Sequence, residues 1–516
     1  MSKIIKYKIY LLYFALITYL TFNTGIVSDE FTLIKVFNQI DFTEILFPES
    51  DFLPASVSQP IKHYTHFISY HFIEIDQFVL LKILKTFYNV LALFLISKFF
   101  GLFLKKNIAL FTSFLIVFFP SHDSTTYCFL GQGYVLSIAL YLFSYYLAHR
   151  NKLITAFITG LIASFISYSS PPIALAMFVL FLLDKKFKKG VFIILPNAIF
   201  STYYVAITEY FNLGVSRTIE DVNTYVFFKR FILQIATFLD AMVGPSMWFK
   251  IYYSFYQLQM LSIIIGILIT VIFFKIYHGE KEKYNRNLII SLTVFAFASF
   301  AMFAKTGLYP QINFNLGNRT TVFGSLLIVY LITAAPLSKI AKTVVFAIMI
   351  FMVLGISDHW KNWEQQQQVV ISNIKNNQAL KNYSDARIIY VSGNQYSKYG
   401  PISHIEFLSE SWVPRDVFNL ALKKNIRAVT INKRHVYEDG YLVDTKHNSK
   451  SEIADYINIY DSENNKLFKL DVENINSYID SLPPENRHWI MLSDNRSVSF
   501  VKNIVIKLMP RLKYAL

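Results

Sequence analysis

The stretch LALFLISKFFGLFLKKNIALFTSFLIVFF, Leu91 to Phe119, holds two apolar runs parted only by Lys98, Lys105 and Lys106. Leu261–Phe274 is a third run of the same kind. Such runs are too apolar and too frequent for one soluble core, and a bilayer span needs about 20 mostly apolar residues. The whole chain agrees: 54% of its 516 residues are apolar, 16% are charged and the mean hydropathy is +0.39. An ordinary soluble domain carries roughly 25% charged residues.

Working outward from this stretch, the expected spans are roughly 8–26, 77–97, 107–120, 134–148, 153–169, 173–184, 190–208, 256–275, 287–304, 320–335 and 341–357. The expected fold class is therefore an α-helical polytopic membrane protein of about eleven transmembrane helices. The apolar stretch Phe227–Trp248 contains Lys229, Arg230 and Asp240 and reads as an interfacial or re-entrant helix. Basic Met1–Lys8 precedes the apolar run from Ile9 to Phe22. No convincing small-residue cleavage site follows, so this is read as an uncleaved first span.

The loops set the orientation. Lys3, Lys6 and Lys8 precede the first span, and Lys98, Lys105 and Lys106 follow the second. Then come Arg150 and Lys152, the group Lys185, Lys186, Lys188 and Lys189, the group Lys275, Lys281, Lys283 and Arg286, and finally Lys339 and Lys342. The connections 121–133 and 170–172 hold no Lys or Arg. Every second connection is basic, which the positive-inside rule assigns to the cytoplasm. This pattern absorbs most of the net charge of +15 without any nucleic-acid motif. It predicts a multi-pass protein of the inner (plasma) membrane with a cytoplasmic N-terminus.

An odd number of spans leaves 358–516 outside the cytoplasm. Trp360 and Trp363 then fit an outer aromatic belt. Arg387–Ser392, Arg427–Asn432 and His488–Ser493 read as strands and Asp416–Lys424 as a helix. Two domains are expected: 1–357 in the membrane, with a first outer loop at 27–76, and a small extracytoplasmic α/β domain at 358–516. Val498–Leu516 reads as a basic amphipathic or solvated end helix. Cys128 is the sole cysteine, so no intramolecular disulfide and no cysteine-based zinc cluster can form.

Three outer features carry candidate chemistry. The first loop holds Asp29, Glu30, Asp41, Glu44, Glu49, Asp51 and Glu74 against Lys35 and Lys62. Asp29-Glu30 falls where the first span ends, and partial desolvation there makes a carboxylate a better base. The pair equally suits helix capping. The second loop holds His122-Asp123, which can bind a divalent metal or orient a hydroxyl, beside the bland alternative of capping. Third, Lys305 and Asn318-Arg319-Thr320 flank the ninth and tenth spans on the outer side. An Arg fork there suits phosphate, or the Arg simply snorkels. Arg217, Lys229, Arg230 and Lys250, in the long outer loop, are weaker phosphate candidates. His63, His66 and His71 do not share one helical face.

Asp29-Glu30 after the first span, the long loop with a candidate interfacial helix at Phe31–Phe47, the span count and the outer C-terminal domain together resemble the membrane glycosyltransferases of the GT-C fold. The resemblance implies a GT-C-like membrane domain and an essential acid at Asp29 or Glu30. It implies transfer of a hexosyl or pentosyl unit, with inversion, from a polyprenyl-phosphate sugar to a cell-envelope glycan or lipid, as in polysaccharide biosynthesis. Arg319 would meet the phosphate. It makes no cofactor certain, and a divalent metal is one that His122-Asp123 could serve. Departures stand beside it: there is no Asp-Xaa-Asp in the second outer loop and no acceptor motif of the oligosaccharyltransferase kind. A lipid-linked glycan flippase or other transporter, and an O-antigen polymerase or ligase, use similar substrates and remain the alternatives.

The alternation of basic loops generates one prediction. Reporter fusions after Lys106, Lys189 and Lys283 should report cytoplasm, and fusions near Asp51, Gly131 and Asn448 the outer side. A cytoplasmic signal at Asn448 would put the C-terminal domain opposite the acidic loop and remove this architecture.

Overall fold

The computed structural model describes residues 3–41, 43–44, 59–73, 78–210, 223–277, 283–307, 310–483 and 496–508. Its helices are α1 (Lys3–Thr21), α2 (Ser28–Phe37), α3 (Pro60–Tyr70), α4 (Val79–Phe100), α5 (Lys106–Val117), α6 (Phe129–His149), α7 (Leu153–Ile166), α8 (Pro171–Leu183) and α9 (Phe187–Tyr210). They continue as α10 (Thr224–Val243), α11 (Pro245–Gln257), α12 (Met260–Ile276), α13 (Arg286–Thr306), α14 (Val322–Ala334) and α15 (Lys339–Asn376). The C-terminal region adds α16 (Trp412–Leu422), α17 (Ile475–Ser481) and α18 (Arg496–Leu508), besides short helical turns.

Each of the eleven expected spans carries a helix, and fewer of these helices are long and apolar enough to make a full crossing alone. Among the described residues five helical segments are long and apolar enough to cross a membrane: Val79–Phe100, Phe187–Tyr210, Arg286–Thr306, Leu316–Ala334 and Lys339–Asn376. A sixth is reached if the bent α10–α12 unit counts as one span. Helices α5, α7 and α8 have 12, 14 and 13 residues. At 1.5 Å per residue they reach only about 18–21 Å, short of a core about 30 Å thick.

The Phe227–Trp248 stretch is split between α10 and α11. Pro245 cannot donate a backbone hydrogen bond, and the Asp240 carboxylate accepts from the Ser246 N–H (3.2 Å), so the chain restarts as a new helix. The run of α10 and α11 then meets α12 at 113°. Serines tie neighbouring helices together through backbone carbonyls: Ser137 to Ala163 (2.8 Å), Ser144 to Ala156 (2.6 Å) and Ser291 to Ala176 (2.7 Å). Such bonds and small residues hold helices together where no water drives association. Gly355 is one such residue. A Cβ there would stand 2.0 Å from the Ser254 carbonyl oxygen, so α11 and α15 meet backbone to backbone.

Helix α15 has 38 residues, about 57 Å. It runs unbroken through the boundary expected at 357 and carries the C-terminal region. There the strands are β1 (Ile389–Ser392), β2 (Tyr396–Tyr399), β3 (Ile402–Glu406), β4 (Ala428–Thr430), β5 (His435–Glu438), β6 (Tyr441–Asp444), β7 (Ser449–Glu452), β8 (Tyr456–Asp461) and β9 (Lys466–Asp471). They form a sheet of order β4-β1-β8-β9, a β2–β3 hairpin and a β5-β6-β7 meander. β1 is parallel to both β4 and β8. This is the small α/β region expected, with strands at β1 and β4 and a helix at α16. His488–Ser493 lies outside the described residues, and the tail is helical over Arg496–Leu508.

One carboxylate joins this region to the bundle. Asp123, 2% exposed, follows the turn Pro120–His122. Lys250 Nζ of α11 donates to its Oδ1 at 2.7 Å, and Asn318 Nδ2 donates to the same oxygen. Trp360 Nε1 of α15 donates to Oδ2 at 2.7 Å and His404 Nε2 of β3 at 2.8 Å. His404 Nδ1 accepts the Asn315 N–H (3.1 Å), so its single proton sits on Nε2. Burial holds His404 below its ordinary pKa. Burial also pushes the Asp123 carboxyl upward, but Lys250 and His404 outweigh it and hold it well below the usual range. Trp360 and Trp363 are both buried, which corrects the aromatic-belt expectation: they face protein.

Asp123→Asn should leave the Lys250 charge buried without a counter-charge, a cost of about 3–5 kcal/mol. Thermal unfolding of purified protein in detergent checks it, and the double variant Asp123→Asn/Lys250→Met should recover much of the loss. Equal melting of wild type and single variant would remove the central role given to this carboxylate.

Candidate functional site

Helix α2 starts where the first apolar run gives way to Ser28-Asp29-Glu30. Glu30, in its first turn, reaches back so that its Oε2 accepts the Val27 N–H at 2.9 Å, half of a capping box. Its Oε1 accepts Tyr70 Oη (2.9 Å) from α3 and the Leu130 N–H (3.0 Å) from α6. The residue has no exposed surface. Burial raises its carboxyl pKa, while the buried Lys85 charge and the three hydrogen bonds pull it back. Lys85 in turn donates to the carbonyls of Thr24 (3.0 Å) and Gly25 (2.6 Å). Glu30 thus ties the loop, α3 and α6 together as a buried carboxylate.

Asp29 faces the other way, toward the C-terminal region. It is half-buried, and its Oδ1 accepts Trp412 Nε1 of α16 at 3.0 Å. Two further bonds clamp α2 on α16. Thr32 Oγ1 donates to Asp416 Oδ2 (2.7 Å) and Lys35 Nζ to Asp416 Oδ1 (2.8 Å). Phe31 packs on Phe407 with ring centres 5.3 Å apart. The first loop and the C-terminal region therefore lie at the same end of the bundle.

At that end a second carboxylate stands near Asp29. Glu406, the last residue of β3, has its carboxyl pushed up to about 8, first by burial and then by the Glu410 and Asp29 charges. Lys446 and Arg319 pull it the other way. Glu410 feels an upward push from burial, but His447 Nε2 (3.0 Å) and Lys446 Nζ at its oxygens hold it down at about 2. Arg319 lies over the Tyr134 ring, 5.8 Å from its centre. Its neighbour Asn318 is fixed on Asp123. Asp29, Glu406, Glu410, Arg319 and Lys446 thus share one electrostatic neighbourhood. A half-buried carboxylate, a carboxyl pushed up to about 8 and a planar cation sit within it.

The chain is similar to a solved oligosaccharyltransferase. That structure is from Archaeoglobus fulgidus, in complex with Zn and sulfate, with 13% identity and a TM-score of 0.36 over 79% of this chain and 59% of that one. The chain thus spans less than two thirds of that structure. No family model and no curated protein matches the chain.

The other expected residues fall elsewhere. His122 is buried, with Nδ1 against Thr125 Oγ1 at 2.8 Å, and burial pushes its pKa down to about 3. Asp123 is ringed by N–H donors from Lys250, Asn318, Trp360 and His404, the set of a carboxylate hub. Among the described residues no group of three or more His, Cys, Asp or Glu side chains is placed to hold a metal. The Arg230 guanidinium packs on Gly307, where φ is +63° and a Cβ would stand 2.6 Å from Nη1. It therefore sits at the C-terminal end of α13, where a cation offsets the helix dipole. Lys305 is half-buried in the last turn of α13. Arg217 lies outside the described residues.

Glu406 and His404 were not singled out from the sequence, where Trp360 reads as an aromatic-belt residue and Lys250 as a weaker phosphate candidate. The one local signal was a pair of titratable residues, His404 and Glu406, alternating with Ile402, Ile405, Phe407 and Leu408 in a largely apolar segment.

The Glu406 shift sets a pH dependence. An unfolded glutamate titrates near 4.3, so between about 4.3 and 8 the folded chain holds a proton that the unfolded chain has lost. Stability should fall as pH rises through this window. Glu406→Gln should flatten that slope in thermal unfolding across pH 5–8; an unchanged slope would remove the shift.

Proposed function

We propose that the protein is a GT-C-like membrane glycosyltransferase. It moves one sugar from a polyprenyl-phosphate-linked donor to a cell-envelope glycan or lipid on the outer face of the inner membrane. The observation that carries this reading is the convergence of Asp29, Glu406 and Arg319 at the end of the apolar helices. A donor with its lipid in the bilayer presents its phosphate at that depth.

The acceptor hydroxyl attacks the anomeric carbon and gives its proton to Asp29. A positioned base contributes roughly 10²–10⁴ in rate. Two neighbouring carboxylates resist ionising together, and Glu406, pushed up to about 8, is the one that holds its proton near neutral pH. Charge gathers on the leaving phosphate, where the Arg319 fork stabilises it in a low-dielectric site. Single displacement inverts the anomeric centre.

The 113° turn between the α10–α11 run and α12 favours a second reading, a lipid-linked glycan flippase, because discontinuous helices line carrier sites. An O-antigen polymerase or ligase would use the same substrates.

Purified protein with a polyprenyl-phosphate sugar and candidate acceptors distinguishes them. Asp29→Asn should lower transfer by at least about 10² while donor binding survives. Arg319→Lys should lose activity and Arg319→Ala more, by about 10- to 150-fold for one charge-assisted bond. Full transfer in both Asp29→Asn and Arg319→Ala would end this assignment of roles. A flippase would move lipid-linked sugar across the membrane and form no glycosidic bond even as wild type.

A further inference from the structure

Helix α15 has two working faces beyond the bundle. Trp360, Glu364 and Gln367 face the hub and the first loop: Trp360 meets Asp123, Glu364 pairs with Lys82 at 2.9 Å and Gln367 Nε2 donates to the Ile26 carbonyl at 3.0 Å. His359, Asn362, Trp363 and Gln366 line a separate cavity of about 420 Å³. Both sets recur at three- and four-residue spacing, one helical face each. Its lining includes none of Asp29, Glu406, Glu410, Arg319 and Lys446.

The far wall is the sheet. Asn394 follows β1, Asn432 follows β4 and Glu463 follows β8, so the loops at the carboxyl ends of three mutually parallel strands all open into it. That is where open α/β sheets bind ligands. The volume is that of a small-molecule site.

The lining identifies the ligand class. Gln257, Asn362, Gln366, Asn394, Gln395 and Asn432 supply primary amides, each with two donors and an acceptor oxygen. Several are held in place: Gln366 Nε2 donates to Asn394 Oδ1 (2.9 Å), and Gln395 Nε2 to the Ile431 carbonyl (3.0 Å). Trp363 and Tyr396 add aromatic surface, and the buried Trp363 indole N–H has no hydrogen-bond partner among the described residues. Charge is balanced, with Lys398 against Glu463, and each of the three strands leads on to another strand, so no helix N-terminus favours a phosphate here. Fixed amides, aromatic faces and near-neutral charge suit a ligand rich in hydroxyls and without charge.

We infer that this cavity is a second site that binds a neutral saccharide unit of a glycan, apart from the Asp29 neighbourhood. It holds the sugar and does no chemistry on it. The inference stands whichever reading of the Asp29 site is correct.

Saturation-transfer NMR and titration calorimetry on the full chain in micelles test it. The probes are neutral disaccharides of hexose, 6-deoxyhexose and N-acetylhexosamine units, with hexose 1-phosphates as the charged comparison. Saturable binding of a neutral disaccharide is expected, weakened about 2- to 10-fold by Gln366→Ala and abolished by Gln366→Trp, which fills the cavity at a solvent-facing helix position. Asp29→Asn should bind the disaccharide as wild type does. Absence of saturable neutral-sugar binding, preference for the phosphates, indifference to Gln366→Trp, or loss of binding in Asp29→Asn would each overturn the inference. Transfer activity lost in Asp29→Asn with disaccharide binding intact separates the two sites.

Discussion

A single ionised carboxylate, Asp123, is shared by four segments that are far apart in sequence. It receives Lys250 from α11, Asn318 from the turn before α14, Trp360 from α15 and His404 from β3. A buried charge is tolerable only when it is paired and hydrogen-bonded, so these donors must converge for the fold to form. Their convergence sets the seat of the C-terminal region and the position of the turn that bears Arg319. The close backbone approach at Gly355 belongs to the same constraint, because it brings α11 near enough to α15 for Lys250 to reach the carboxylate.

Glu30 does for the first loop what Asp123 does for the C-terminal region. It collects Val27, Tyr70 and Leu130 on one buried carboxylate and leaves its neighbour Asp29 turned toward α16. Adjacent residues on a helix point about 100° apart, so one acid of the pair becomes structure and the other can face a ligand. Asp416, buried against Thr32 and Lys35, then fixes the angle at which α2 meets the C-terminal region. The buried carboxylates Glu30, Asp123 and Asp416 each join segments distant in sequence.

Much was legible in the sequence. Long apolar runs and alternating basic loops placed a helix at each expected span, because burying backbone in hydrocarbon requires helices whatever their partners. Strand and helix patterns in the last third placed β1, β4 and α16. The special character of Asp29, Glu30, Asp123 and Arg319 was visible as polar residues in sites where apolar or cationic composition made them unexpected. Helix length was less legible: α5, α7 and α8 stop short of a full crossing because turns at Pro120, Ser167–Ser170 and Lys185 end them.

What only the tertiary structure decided was partnership. The sequence cannot distinguish Asp29 from Glu30, nor tell that Asp123 meets His404 across 281 positions. Nor does it show that Glu406 shares the field of Asp29 and Arg319. Local propensity and hydropathy act over a few residues and fix helices, strands and loops. The titration of a buried carboxyl and the chemistry open to it depend on which distant donors and charges surround it, and that surrounding exists only once the helices have packed.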